Sequence, residues 1–251
     1  MEKMVFVLGA PDPEMEEIER VVRAQGHEVR YACYGGGRVR PENAYRAADV
    51  DAPMPDKLPV VFVECEVLGL TYDTLVDHHR PGDPGYNGLP QDYLRSSSLG
   101  QVLELLGLEA TPEQRIIAAA DHCPTQAYQG LCPGVDPVEL ARWRTHSRAA
   151  RRGMSPQEME RAIEEAREIL LNAEKIEFAG QSIAWVGDRK GEIPEASARY
   201  GLPFMYMENK GPRKKLGIMG AAPEVIARWM RECGLKDVYG DPIRGYAGGY
   251  C

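Results

Sequence analysis

With 251 residues, a formal charge of −8 (38 acidic against 30 basic residues) and 43% hydrophobic side chains, the chain can bury a large core without disulfides, as one large α/β domain or two smaller ones. The acidic balance argues against a broad nucleic-acid-binding surface but leaves room for a local basic pocket. Cys33, Cys65, Cys123, Cys132, Cys233 and Cys251 form no CxxC pair, which excludes a small secreted disulfide framework and a zinc knuckle. No apolar run approaches membrane-spanning length and residues 1–8 lack the flanks of a signal peptide, so a cytoplasmic setting is expected.

Residues 3–8 are almost continuously apolar, the pattern of a buried parallel strand. Gly9-Ala10-Pro11-Asp12-Pro13 ends it. Asp12 suits a helix N-cap and Pro13 the first helical position. That helix should run to about Ala24, with Met15, Ile18, Val21 and Val22 inward, and stop at Gly26. A strand over 28–31 would complete a βαβ opening. Residues 32–57 are loop-rich. Their Gly35-Gly36-Gly37 fits neither phosphate-binding glycine motif and reads as a turn. Residues 59–63 form the clearest central strand, ending in Glu64-Cys65-Glu66. A further extended run ends in Asp77-His78-His79, and a Gly/Pro-rich loop follows over 80–90.

Ser96-Ser97-Ser98 opens a helix over 99–106, and a second over 112–120 leads into Asp121-His122-Cys123. A long helix spans 136–152. Ser155 caps the next, in which Met159, Ile163, Ala166 and Leu170 recur at helical spacing. This helix reads as a connector to a smaller unit with strands near 177–186, 204–207 and 216–219 and helices over 194–200 and 223–233. The expected organisation is therefore a first domain over 1–153, a connector over 154–173 and a second domain over 174–251. The expected fold class is α/β, a Rossmann-like parallel sheet followed by a smaller α/β domain.

Ligands of open parallel sheets gather beyond the carboxyl ends of the strands. Three predicted strand ends here carry acids: Asp12 and Glu14, Glu64 and Glu66, and Asp77 with its two histidines. Asp121 adds a fourth at the end of an apolar helix. Carboxylates and neutral imidazoles are the ligands that borderline divalent ions accept. Each residue also has a plain structural reading. Asp12 is a good N-cap, Glu66 a solvated acid, and His122 a capping or hydrogen-bonded histidine. Adjacent histidines on a regular strand point to opposite faces. The convergence of four acid-bearing elements on one sheet edge is what points to a metal site.

Over roughly residues 3–125 this arrangement resembles the DHH phosphoesterase superfamily. Pro11-Asp12-Pro13-Glu14 matches the paired acids of the first motif, with glutamate for the second aspartate. Glu64 matches the second motif, Asp77-His78-His79 followed by the serine-led helix the third, and Asp121 the fourth. The first-motif histidine falls at Leu8, which cannot bind metal. The resemblance implies a divalent ion, Mn2+ foremost with Mg2+ as an alternative, held by Asp12, Glu14, Glu64, Asp77, His78 and Asp121. Glu64 would bridge two such ions. His79 would face a phosphate or fix a ligand. Arg80 would contact a phosphate oxygen, unless it is simply solvated.

The same resemblance implies a C-terminal substrate-binding domain. There the basic run Gly211-Pro212-Arg213-Lys214-Lys215 and the glycines Gly248 and Gly249 would meet phosphate, with Tyr246 or Tyr250 on a base. A solvated turn and a flexible tail are the plain alternatives. The implied activity is metal-dependent hydrolysis of a small phosphorylated substrate, such as a nucleotide, cyclic nucleotide or short single-stranded oligonucleotide. Long duplex DNA and membranes are not expected partners, and a homodimer is compatible. Two other readings stay open: a pyrophosphatase-like phosphoanhydride hydrolase, and a nucleotide-binding protein without turnover.

Overall fold

The computed structural model describes residues 2–188, 191–211 and 213–251. The chain divides into two compact units, Met1–Gly88 with Asp92–His122 and Leu89–Gln91 with Cys123–Cys251. The boundary expected after residue 153 thus falls inside the second unit.

The first unit is built on β1 (Val5–Leu8), whose four apolar residues are all buried. It lies between β2 (Glu28–Tyr34) and β5 (Val60–Val63) and is parallel to both, with Val5 opposite Glu28 on one side and Val60 on the other. β6 (Thr74–Val76) extends the parallel sheet beyond β5. The short β3 (Gly37–Arg38) and β4 (Asp49–Val50) pair antiparallel with β2. The crossover from β1 to β2 is α1 (Pro13–Ala24), capped as its sequence predicts: Asp12 Oδ1 accepts from the Met15 N–H at 2.7 Å, and Met15, Ile18, Val21 and Val22 are buried. α2 (Tyr93–Ser96), α3 (Ser98–Leu105) and α4 (Pro112–His122) complete this unit. Ser97 caps α3 through the Gly100 N–H.

Strand order sets where a crevice opens in this sheet. The chain moves from β1 outward to β2, then returns to place β5 and β6 on the other side of β1. The turn of direction between β1 and β5 is a topological switch point, where successive loops part and leave a crevice. Gly9 holds the two strand ends together there. Its N–H donates to the Val63 carbonyl at 2.9 Å, and a Cβ on it would lie 2.3 Å from the Glu64 carbonyl oxygen.

The second unit contains α5 (Pro124–Tyr128), α6 (Pro137–Arg152), α7 (Pro156–Asn172), β7 (Glu174–Phe178), β8 (Gln181–Trp185), α8 (Ile193–Tyr200), β9 (Phe204–Lys210), β10 (Arg213–Met219), α9 (Pro223–Glu232), β11 (Lys236–Asp241) and β12 (Tyr246–Tyr250). Its sheet has the order β11-β12-β10-β9-β8-β7, with only the β8–β9 pair parallel among the described residues. Both sheet faces are covered. Ala184, Phe204 and Tyr206 pack under Met159, Ile163, Ala166 and Leu170 of α7 and Ile193 and Ala196 of α8. Ile183, Ile218 and Ala247 pack under Val225, Ile226 and Trp229 of α9. Each fully buried Leu, Ile or Phe contributes roughly 1.5–3 kcal/mol.

The capping box expected at Ser155 forms with Glu158. The helix it starts, however, is a wall of this core rather than a connector, because its four apolar residues fill one stripe of the sheet's cover. The glycine-rich end is also not a loose tail. Residues 246–250 are a strand inside the sheet, pairing with both β10 and β11. Among the described residues, no helix is long and apolar enough to cross a membrane.

Candidate metal centre

Four elements of the first unit deliver acids or imidazoles to the crevice beside β1 and β5. α1 begins at Pro13, so the residue after it, Glu14, sits in the first helical turn and is 2% exposed. Its Oε1 accepts from the Leu99 N–H at 3.1 Å, at the N-terminus of α3, where the helix presents partial positive charge. Glu64 leaves the end of β5 with φ +50°, a left-handed conformation that costs a non-glycine residue energy and is concentrated at functional sites. Its backbone N–H is tied to the Val76 carbonyl of β6 at 3.0 Å. His78 follows the end of β6 and is fully buried, and Asp121 stands in the last turn of α4.

Glu14, Glu64, His78 and Asp121 each place one donor atom within 4.8 Å of all the others. A second group, Glu64, His78 and His79, overlaps the first. His78 Nε2 lies 3.1 Å from Asp121 Oδ2 and 3.4 Å from Glu64 Oε1. Electrostatics show the cost of this gathering. Burial, then the charges of Asp121, Glu64 and Asp12, push the Glu14 carboxyl well above its ordinary pKa. Burial also raises Glu64 to about 8, with Asp12, Asp121 and Asp77 adding to it and His79 opposing. Glu14 Oε2 is buried and accepts no hydrogen bond. A buried carboxylate oxygen without a partner, facing other carboxylates, is the environment that a divalent cation relieves. The donor set of carboxylates and imidazole fits such an ion.

The other predicted metal residues sit differently. Asp12 belongs to neither group. It caps α1, and its charge is felt by Glu14 and Glu64. Asp77, fully buried, is also in neither group, and its Oδ1 organises the loop. Its Oδ1 accepts from the His78 N–H at 2.7 Å, the His79 N–H at 3.1 Å and the Tyr45 hydroxyl at 3.1 Å, and pairs with His79 Nδ1 at 3.0 Å. Burial would raise Asp77, but these bonds, those of His79 first, leave it below its ordinary pKa. Burial and the charges of Asp77 and Glu64 push Tyr45 upward, which keeps it a donor. The Asp77 Oδ2 atom is buried without a hydrogen bond.

Arg80 bonds Glu66 at 2.9 Å and its guanidinium lies 3.9 Å from the Tyr45 ring centroid, a cation–π contact that fixes its plane. Asp83 accepts from the His79 and Arg80 N–H groups at 3.1 and 2.6 Å. Tyr45 and Asp83 were not legible as site residues. Tyr45 comes from a single 3-10 turn, Ala44–Arg46, in a loop-rich stretch, and nothing in its neighbours marks it. Gly85 and Gly88, in the loop after the histidines, had a signal only in their type. A Cβ on Gly85 would meet the Ser96 carbonyl oxygen at 1.9 Å, and one on Gly88 the Ser96 Oγ at 2.0 Å.

The residues expected to hold substrate all belong to the second unit. β10 and β12 pair so that Lys215 lies opposite Tyr250, Leu216 opposite Gly249 and Gly217 opposite Gly248. Two segments far apart in sequence are thus neighbours. Strand alternation divides them: Arg213 and Lys215 share a face with Gly248, while Lys214 and Gly249 are on the other. Arg213 also pairs with Asp237 at 2.5 Å. Pro212 of the basic run lies outside the described residues. Gly248 and Gly249 are in a ladder strand, so their peptides serve the sheet rather than an open anion-binding loop. Their lack of a side chain has a packing reason, since a Cβ would meet the Tyr239 hydroxyl at 2.5 Å and the Leu235 Cβ at 2.8 Å respectively.

Fold and site together define an α/β protein with a buried carboxylate–histidine centre suited to a divalent ion. No protein-family model matches the chain, and no curated protein matches it. Among solved structures it is similar to a pGpG-specific phosphodiesterase, PggH from Vibrio cholerae, at 8% identity over 100% of this chain and 93% of that one, with a TM-score of 0.40. A likeness of that size carries no argument about activity, so the chemistry rests on the centre itself.

Proposed function

We propose that the chain is a metal-dependent phosphoesterase of the DHH superfamily, hydrolysing a small phosphorylated substrate such as a nucleotide, cyclic nucleotide or short oligonucleotide. The observation that carries this reading is the meeting of Glu14, Glu64, His78 and Asp121, from four separate elements, with donor atoms within 4.8 Å of one another. These four positions fall in the order of the superfamily's acid-bearing motifs. Glu14, Glu64, His78 and Asp121 would hold the ion, a donor set that borderline divalent ions accept, with Mn2+ the first choice because the superfamily resemblance implies it. When bound, it supplies positive charge that polarises a phosphoryl group and makes a nearby water more acidic.

The chain's own residues do the rest. Asp77 and Asp83 hold the His79 and Arg80 backbone, so both side chains are presented from a rigid turn. His79, held through Nδ1 by Asp77, is poised to meet the phosphate or to serve as a second imidazole beside Glu64. Arg80, already ordered by Glu66 and Tyr45, would exchange its carboxylate partner for a phosphate oxygen at little entropic cost. In the second unit, Arg213, beside the ring of Tyr250, and Lys215 would take phosphate, with Tyr250 or Tyr246 on a base. The net charge of −8 favours a small substrate over a long polyanion.

Leu8 favours the second reading, a nucleotide-binding protein without turnover. It is fully buried in β1 and gives the centre no donor where the superfamily has a histidine. A manganese-dependent hydrolysis screen decides between them, over dinucleotides, cyclic dinucleotides, pyrophosphate and nucleoside bisphosphates. The enzyme reading expects turnover that His78→Ala abolishes. Equal inertness of wild type and variant, with a nucleotide still bound, would leave the binder. Turnover of pyrophosphate alone would make it a phosphoanhydride hydrolase.

A further inference from the structure

We propose that His122 is a positioning residue that fixes the tautomer and ring plane of His78, so that His78 offers an unprotonated Nε2 to the ion. The inference deepens the metal reading above and rests on it. His122 is fully buried in the last turn of α4, directly after Asp121. Its Nε2 lies 3.1 Å from the Gly88 carbonyl oxygen. A carbonyl only accepts, so this nitrogen carries the hydrogen. In the neutral ring, His122 Nδ1 is then an acceptor. It lies 3.0 Å from His78 Nδ1, which must therefore donate. His78 Nε2 is left as a lone pair, directed among Asp121 Oδ2 at 3.1 Å and Glu64 Oε1 at 3.4 Å.

Once both carboxyls are ionised, a lone pair facing two carboxylate oxygens is repulsive, and a cation shared by all three groups would remove the repulsion. The usual partner for the second nitrogen of a metal-bound histidine is a carboxylate or a backbone carbonyl. Here an imidazole relays the carbonyl instead. The two rings stack at 5.2 Å between centroids with 29° between planes, which restrains the His78 ring as well as its proton. Gly88 leaves room beside the relay, because a Cβ there would sit 2.0 Å from Ser96 Oγ and 3.0 Å from His122 Nε2. The competing arrangement has a doubly protonated His122 donating to both neighbours. That would put the hydrogen of His78 on Nε2, toward the carboxylates, and satisfy the cluster without an ion.

The test uses the whole chain and Zn2+ as the probe. Long-range 1H–15N NMR of the Zn2+-loaded protein should show His78 protonated at Nδ1 and metal-bound at Nε2. Competition with a chromophoric chelator should show His122→Phe binding Zn2+ about 10–100-fold more weakly than wild type. His122→Gln can accept from His78 and donate to Gly88, so it should recover most of that loss and also guards against a simple folding defect. Gly88→Ala should weaken binding in the same direction. A His122→Phe variant that binds Zn2+ like wild type, or a wild type with His78 bound through Nδ1, overturns the role of His122 while leaving the metal site standing. A wild type that takes up no Zn2+ overturns both readings.

Discussion

Glu14 and Glu64 are buried beside Asp12 and Asp121, and both hold their protons more tightly than ordinary carboxyls. For Glu64 the folded value is about 8 against 4.5 for the ordinary group. Between those two pH values the folded chain binds more proton than the unfolded one, so this group's contribution to stability falls as pH rises through the window. On the proposed metal reading, a divalent ion would replace the proton and reverse the loss. Thermal unfolding followed from pH 5 to pH 8 should therefore show the metal-free protein weakening. Mn2+ at a fixed concentration 100 times its dissociation constant at pH 8 should add about 2.7 kcal/mol there, and less at pH 5, where protons compete for the same oxygens. Glu64→Gln should flatten the metal-free profile and lose the Mn2+ response. A Mn2+ response that does not depend on pH would count against the protonated cluster. Gly9→Ala acts on the same centre through the backbone. Its methyl would press on the Glu64 carbonyl from 2.3 Å, at a cost of roughly 1–3 kcal/mol, and should weaken Mn2+ binding together with stability. Denaturant unfolding and a metal titration on one preparation would check both.

Among the elements, helix starts were the most legible features. Asp12, Ser97 and Ser155 each cap the helix that their residue type announces, because a cap needs only a short polar side chain and the peptides of its own turn. β12 was not legible, since Tyr246-Ala247-Gly248-Gly249-Tyr250 has weak strand propensity and is held by neighbours on both sides. The ionic cluster joining α6 to α8 was equally hidden. Arg144 bonds Glu195 with contacts down to 2.5 Å, Arg148 and Arg152 reach Glu192, and the Tyr128 hydroxyl donates to Glu195. Burial alone would raise Glu195, but Arg144 first, then Arg148 and Tyr128, bring it down to about 2 from 4.5. Its stabilisation is complete above the unfolded value and is lost as pH falls from 4.5 toward 2. At neutral pH the shift corresponds to about 3 kcal/mol. Urea unfolding should show the wild type losing that much by pH 2, while Glu195→Gln starts lower and changes less.

At the scale of the whole molecule, the division after His122 predicts where the chain can be cut. A fragment over 123–251 keeps α6 and both covered sheet faces of its unit. A fragment over 154–251 leaves Glu195 and Glu192 without Arg144, Arg148 and Arg152, and removes Ala149 from the core. Stranding a buried charge typically costs 3–5 kcal/mol, so the shorter fragment should unfold at much lower urea, as circular dichroism would show. The α/β alternation and the order of the acids were written in the chain, because buried parallel strands need apolar runs and their carboxyl ends need turns. Which acids meet could not be read there. Asp12 and Asp77 are carboxylates beyond strand ends, as Glu64 is, yet one caps a helix and the other organises a turn. That assignment follows from strand order around β1, from the left-handed turn at Glu64, and from a histidine and a glycine, His122 and Gly88, brought together across 34 residues. Local sequence specifies what a residue can donate or accept. Only tertiary packing decides the direction in which it does so.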